Sequence, residues 1–370
     1  MKYEFQANYN LSLTSGRNQL EGIDYIAGVS TKPPHSWAEL GEITDQFAKL
    51  QVMAQANLTD NKDYARTGRK IKPSGLMALT EKRLDEFFKH QYSTFLEPLN
   101  LVTDLPDMTI LPFGSWGINF KFKLIKPYIS KDDTDFYIID NPVKKEWVFK
   151  VPYIAPTQWK GTLRSVMGRQ LYEQANSLTD EQFAEKMFRL ALLSGSEKEE
   201  NPKEKSNFAG YFDEIKPGAT NLYRKKIKKH FGYKTNDSMP DFRGRLHFYP
   251  TYFTKIGMEV INPHDRETGT GTNPIYFETV PAESEGIFTL LYVPIELIGN
   301  DKNNVKIEVL EDLSPVADGI KGMMTEYGFG AKTSSGFGLA EIKIDYGIIE
   351  SNIEDLQNVN LRDFIELKKS

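Results

Sequence analysis

An α+β fold built on one sheet is what this 370-residue sequence predicts, from three observations. At Gly117 the apolar residues switch to a period of two. GINFKFKLIKP puts Ile118, Phe120, Phe122 and Leu124 on one side and Asn119, Lys121 and Lys123 on the other, a half-buried strand. A helix follows at about residue 157, and strand-like segments then return after residue 243. A further helix and a last strand close the chain, so the order is strand, helix, strands, helix, strand. This is the split βαβ pattern of a ferredoxin-like (RRM-like) βαββαβ core, which leaves one face of its sheet open.

The elements divide the chain into three parts. Residues 1–110 read as an N-terminal helical extension, with helices from about Ser36 and from Thr80 and a polar, basic loop, NKDYARTGRKIKPSG, between them. Residues 111–350 hold the core. In it a loop rich in Asp132, Asp133, Asp135 and Asp140 leads to a short strand at 147–151 and then to the helix that Thr157 caps. A second helix spans 180–193, capped by Thr179 and closed by Gly195. Residues 196–240 are polar and read as an insertion, flexible at least in part. The strands GRLHFYPTYF, KIGMEVI, PIYFETV and GIFTLLYVPI follow, then a helix at 315–327 and the strand FGLAEIKIDYG. Residues 351–370 form an acidic C-terminal tail.

Composition narrows the function classes. The sequence has no cysteine, which excludes a disulfide scaffold, a thiolate zinc site and a cysteine nucleophile. The N-terminus lacks the apolar run of a signal peptide, and no stretch reaches the roughly 18 apolar residues of a membrane span. A soluble cytoplasmic protein without a membrane partner is expected. Net charge is −5, yet residues 117–175 carry 10 Lys/Arg against 6 Asp/Glu, a local excess of +4. One cationic face on an acidic chain accounts for this, as does scattered surface charge.

Two stretches carry the chemistry of anion binding. In VPYIAPTQWKGTLRSVMGRQ, Lys160 and Arg164 are four apart and share a helix face close to its N-terminus, where free amides and positive charge add. In YGFGAKTSSGFG, glycines at 328, 330, 336 and 338 let the backbone approach a ligand, and Lys332, Thr333, Ser334 and Ser335 add one charge and three hydroxyls. It is not a P-loop, because the loop precedes a strand and Ala331 separates Gly330 from Lys332. Each stretch also reads as ordinary structure: an amphipathic helix with two solvated cations, and a flexible connection. The run Arg224, Lys225, Lys226, Lys228, Lys229, His230 reads either as a solvated surface or as a contact to RNA or to another subunit.

Taken together, these stretches resemble the RAMP superfamily, the RNA-binding backbone subunits of type III CRISPR effector complexes. PYIAPTQWKGTLRS is similar to the family's proline–helix signature, approximately I-P-G-S-S-L-K-G-x-L-R. Lys160, Gly161, Leu163 and Arg164 match in place, Ala155 is inserted between Ile154 and Pro156, and Thr157, Gln158 and Trp159 depart from the pattern. GFGAKTSSGFG is similar to the family's C-terminal glycine-rich loop. Residues 243–294, with Phe248, Asn262, Pro263, His264, Phe277 and Phe288, resemble the central part of the terminal backbone subunit of Cmr-type complexes.

The resemblance implies an antiviral ribonucleoprotein subunit without a cofactor or metal. Its partners would be guide RNA, target RNA and other RAMP subunits. RNA would be held by Thr157, Trp159, Lys160, Arg164 and Arg169 and by the loop residues Gly328, Gly330, Lys332, Thr333, Ser334 and Ser335, with His264 as a further contact. The alternative it carries is a RAMP endoribonuclease that cleaves target RNA or processes guide precursors. Asp132 and Asp133 are then the candidate catalytic residues, because family members that cut RNA use an aspartate in that loop.

Overall fold

The computed structural model describes residues 5–11, 16–102, 104–131, 136–196, 208–262, 274–357 and 359–365. Its fold is mixed α and β with antiparallel sheets. Four strands form the main sheet: β1 (Trp116–Leu124), β2 (Leu246–Phe248), β3 (Glu285–Tyr292) and β4 (Ala340–Ser351). Their spatial order is β4-β1-β3-β2, and every neighbouring pair is antiparallel. The alternation in β1 decides its orientation. Ile118, Phe120, Phe122 and Leu124 are fully buried, whereas Lys121 on the other side is exposed.

Helix α1 (Pro156–Glu173) connects β1 to β2. It is followed by α2 (Asp180–Ser194) and, beyond a segment outside the described residues, by α3 (Pro217–His230). Helix α4 (Lys302–Gly322) connects β3 to β4 and packs against α1. The two helices approach closely at Gly319, where a Cβ would stand 2.7 Å from Met167 Cγ. Thr179 caps α2 with a full capping box, as its sequence predicts. Residues 208–230 of the expected insertion are helical and cover α2 through Phe183 and Phe212, whose ring centroids are 5.2 Å apart.

Several expectations are corrected. The predicted strand at 147–151 is a tight turn. Glu146 accepts hydrogen bonds from the amides of Val148 (2.7 Å) and Phe149 (2.6 Å), and Lys150 is left-handed at φ 58°. The helix predicted from Ser36 is a 3-10 stretch, His35–Glu42, kinked at Trp37; a regular helix, Gln46–Ala54, begins only after Asp45 accepts from the Ala48 amide. The helix predicted from Thr80 starts at Gly75 and is interrupted at Arg83. The second face of the sheet is covered toward Gly117 and left exposed at Lys121. Leu105 and Met108 lie against Gly117, and Tyr92 and Val102 border a 330 Å³ cleft beside Lys121 and Ile287. Within the expected acidic tail, Leu361, Phe364 and Ile365 are buried, and Phe364 lies 5.7 Å from Trp116. Apolar burial there outweighs the repulsion among surface acids.

One apolar core runs from Leu11, Ile23 and Phe88 of the N-terminal helices to the sheet and to Phe364. Beside it lies a buried ionic cluster. Arg245, 1% exposed, binds Asp312 (2.6 Å), Glu296 (2.5 Å) and Glu308, and Tyr292 donates to Asp312 at 2.8 Å. Burial pushes the Asp312 carboxyl up, and Arg245 opposes that shift. Arg245→Met strands these acids without their cation, so urea denaturation is expected to show a loss of about 3–5 kcal/mol. The loss should shrink as pH falls, because protonation removes the charge of a carboxylate left without its cation; an unchanged midpoint would contradict this account of the cluster.

Candidate nucleic-acid interface

The start of α1 and the glycine-rich loop meet at one end of the sheet, and aromatic packing fixes their meeting. Trp159, the fourth residue of α1, is fully buried. Its ring lies 4.8 Å from that of Phe329, 5.0 Å from Phe288 and 6.0 Å from Phe122, and its indole NH donates to Thr251 at 3.0 Å. Phe329, also fully buried, holds the glycine loop in the core. The loop is then closed by backbone bonds from the Phe329 amide to the Gly338 carbonyl (3.1 Å), from Ala331 to Ile129 (2.7 Å) and from Gly338 to Pro127 (2.9 Å). Two glycines are required by these approaches. A Cβ on Gly338 (φ 72°) would overlap the Phe329 carbonyl, and one on Gly330 (φ 93°) would overlap the Ile129 carbonyl. Tyr128 ties the segment after β1 to the same place by donating to Gln158 at 2.8 Å.

This joint presents cations on both sides. Lys160 and Arg164 are half-buried one turn apart on α1. Burial pulls the Lys160 ammonium below its usual value, and the Arg164 charge adds to that shift. His247 of β2 is likewise held low by burial, then by Arg243 and Lys160. Lys332 is exposed and left-handed (φ 58°), with its Nζ 5.0 Å from the centroid of the Phe277 ring. Ser334 and Ser335 are exposed beside it in a single helical turn, Thr333–Ser335. A half-buried cluster of like charges on the protein lowers the cost of binding an anion there, because the anion replaces lost hydration and offsets the repulsion.

Other expected contacts fall differently. Thr157 is exposed but is not the cap. Ala155 occupies that position without a side-chain bond, and Pro156 fills the first helical turn. Trp159 cannot stack on a ligand, since the core encloses it. Arg169 is exposed further along α1, its guanidinium 5.7 Å from the Tyr327 ring. In the basic run, Arg224 pairs with Asp213 (3.2 Å), Lys226 with Glu185 (2.6 Å), and Lys228 donates to the Thr235 carbonyl (2.8 Å), while Lys225 and Lys229 are exposed on α3. Asp132, Asp133 and His264 lie outside the described residues. Sequence reasoning did not single out Phe329, Tyr128, Arg243 or His247. The bracketing of Phe329 by two glycines was the available signal for an aromatic pinned into the core.

A sequence model of the RAMP superfamily matches residues 121–341, a span that holds both α1 and the glycine loop. The chain belongs to the RAMP superfamily. No curated protein matches it. Among solved structures it is similar to a chain of the type III-B Cmr-beta complex bound to cognate target RNA, at 12% identity and TM-score 0.38, covering 89% of this chain and 98% of that one. It is also similar to Cmr6 from Pyrococcus furiosus, at 18% identity and TM-score 0.27 over 61% of this chain and 97% of that one. A CRISPR RNA-guided surveillance complex chain matches at 10% identity and TM-score 0.36, over 69% and 76%. Among the described residues no helix is long and apolar enough to cross a membrane.

Two predictions follow from the joint's geometry. Gly338→Ala should lower stability by more than about 3 kcal/mol, and Gly336→Ala, whose added methyl meets nothing within 4 Å, by about 1 kcal/mol; thermal denaturation of the pair checks the difference. Lys160→Met should raise Tm at neutral pH, where burial of the ammonium opposes folding. The folded protein holds the Lys160 proton less tightly than the unfolded chain, so wild-type stability rises as pH climbs from the lowered value toward 10.5. The advantage of the variant should shrink over that window, and an advantage independent of pH would refute the assignment.

Proposed function

We propose that the chain is a guide-RNA-binding backbone subunit of a type III CRISPR effector complex, built on a ferredoxin-like core. The strand order β4-β1-β3-β2, with a helix after β1 and another after β3, supports that core, since a βαββαβ unit closes into this arrangement. Membership of the RAMP superfamily supports the type of assembly. The observation that carries the RNA-binding reading is the 4.8 Å contact of Trp159 with Phe329. It joins the helix that carries Lys160 and Arg164 to the loop that bears Lys332, Ser334 and Ser335, although about 170 residues separate the two in sequence.

In this reading the cations and the loop hydroxyls grip phosphates, and sequence specificity is left to base pairing between guide and target RNA. The protein contributes position and charge. It also packs against other RAMP subunits in the cytoplasm, in the manner of the terminal subunit that residues 243–294 resemble.

The test is to express the chain with its partner subunits, purify through a tag on this subunit and analyse the nucleic acid that accompanies it. A discrete small RNA is expected, and Lys160→Glu with Lys332→Glu should remove it while the assembly persists. An intact assembly without RNA would defeat the proposal. Asp132→Ala and Asp133→Ala should leave the bound RNA unchanged. Loss of RNA cleavage in these variants would instead establish the endoribonuclease.

A further inference from the structure

The basic segment at 61–75, which lies outside the residues matched by the family, is a braced hairpin. Lys62–Thr67 is helical, Gly68–Arg69 pairs with Lys72–Pro73, and Lys70 and Ile71 form the tip. The brace is Asp24, 8% exposed, which accepts from Lys72 Nζ (2.6 Å), Ser74 Oγ (2.6 Å) and Tyr64 OH (2.7 Å). Gly68 (φ 74°) and Gly75 (φ 63°) make the close turns at its base, where a Cβ would overlap the Ser74 amide and the Ala65 carbonyl respectively.

Such bracing holds an unusual tip away from the body. Ile71 is 99% exposed, and Arg69, Lys70 and Lys72 flank it. The adjoining cleft, about 530 Å³, is lined by these residues with Tyr64, Arg17 and Glu21. Arg17 pairs with Glu21 and Lys72 with Asp24, whereas Arg69 and Lys70 make no ion pair among the described residues. Arg69 instead lies 5.9 Å from the Tyr64 ring. An isoleucine wholly in water on a rigid cationic tip suits a partner that offers negative charge and a flat apolar surface together. A nucleobase next to its phosphate does so, whereas an acidic peptide surface offers carboxylates surrounded by polar groups.

We propose that this hairpin is a second contact for single-stranded nucleic acid, separate from the α1–loop interface. Arg69 and Lys70 bind phosphates there, and Ile71 lies against a base.

The experiment measures anisotropy of a fluorescein-labelled oligouridylate of about 15 nucleotides on the full chain across a salt series. Arg69→Ala with Lys70→Ala should weaken binding about tenfold and reduce the slope of log K against log salt by about 1.4, for two cations on a single strand. Ile71→Ser should weaken binding severalfold with the slope unchanged. Both effects should persist in the Lys160→Glu, Lys332→Glu background, which separates this site from the proposed guide interface. Photocrosslinking from Ile71→p-benzoylphenylalanine should label the oligonucleotide and reads the contact whatever the variants do to stability. A salt slope unchanged by Arg69→Ala with Lys70→Ala, no label on the oligonucleotide, or equal competition by poly-glutamate would each overturn the proposal, the last in favour of an acidic protein partner.

Discussion

The indole of Trp159 stands where four remote segments of chain meet. Phe122 and Phe288 reach it from adjacent strands of the sheet, Phe329 from the glycine loop, and Thr251 accepts its NH. Edge-on and tilted aromatic contacts combine large apolar burial with defined angles, so such a cluster fixes orientation as well as proximity. The direction of α1 and the seating of residues 328–338 both depend on it. The glycines at 330 and 338 belong to the same constraint, for the loop backbone passes too close to the Ile129 and Phe329 carbonyls for any side chain.

Around this joint the electrostatics run against stability. Lys160 and His247 are both held below their usual proton affinities by burial and by neighbouring positive charge. A fold gains nothing from such a grouping by itself; an anion bound there would reverse the sign of the interaction. Elsewhere the chain treats buried charge differently. Arg245 and Asp312 are equally hidden, but each is satisfied by opposite charge and by Tyr292. The contrast between a buried cluster of opposite charges and a half-buried grouping of like charges separates the structural use of charge from the use we propose.

Local signals were legible where one residue and its near neighbours decide the outcome. The alternation in GINFKFKL described β1 and both its faces, and Thr179 announced the start of α2. The same reasoning misplaced Thr157 as a cap, because Pro156 already supplies the first turn and the chain enters from extended Ala155. It took 147–151 as a strand from its apolar content, whereas Glu146 folds back onto the amides of that segment and leaves Trp147 82% exposed. Leu361, Phe364 and Ile365 were overlooked among acids, since their value lies in a distant surface that they cover.

By itself the sequence determined the periodicities of the strands and helices, the capped start of α2, the glycine positions of the loop and the resemblance to the RAMP superfamily. These rest on interactions between residues a few positions apart, or on motifs that survive as strings. Only the tertiary structure decided that Trp159 belongs to the core, that Phe329 carries the glycine loop to it, that Arg243 and His247 join Lys160, and that Asp24 turns a basic loop into a hairpin. Each depends on contacts between segments far apart in the chain. Burial and charge at such contacts are set by what the fold brings together, and no local pattern of residues encodes that.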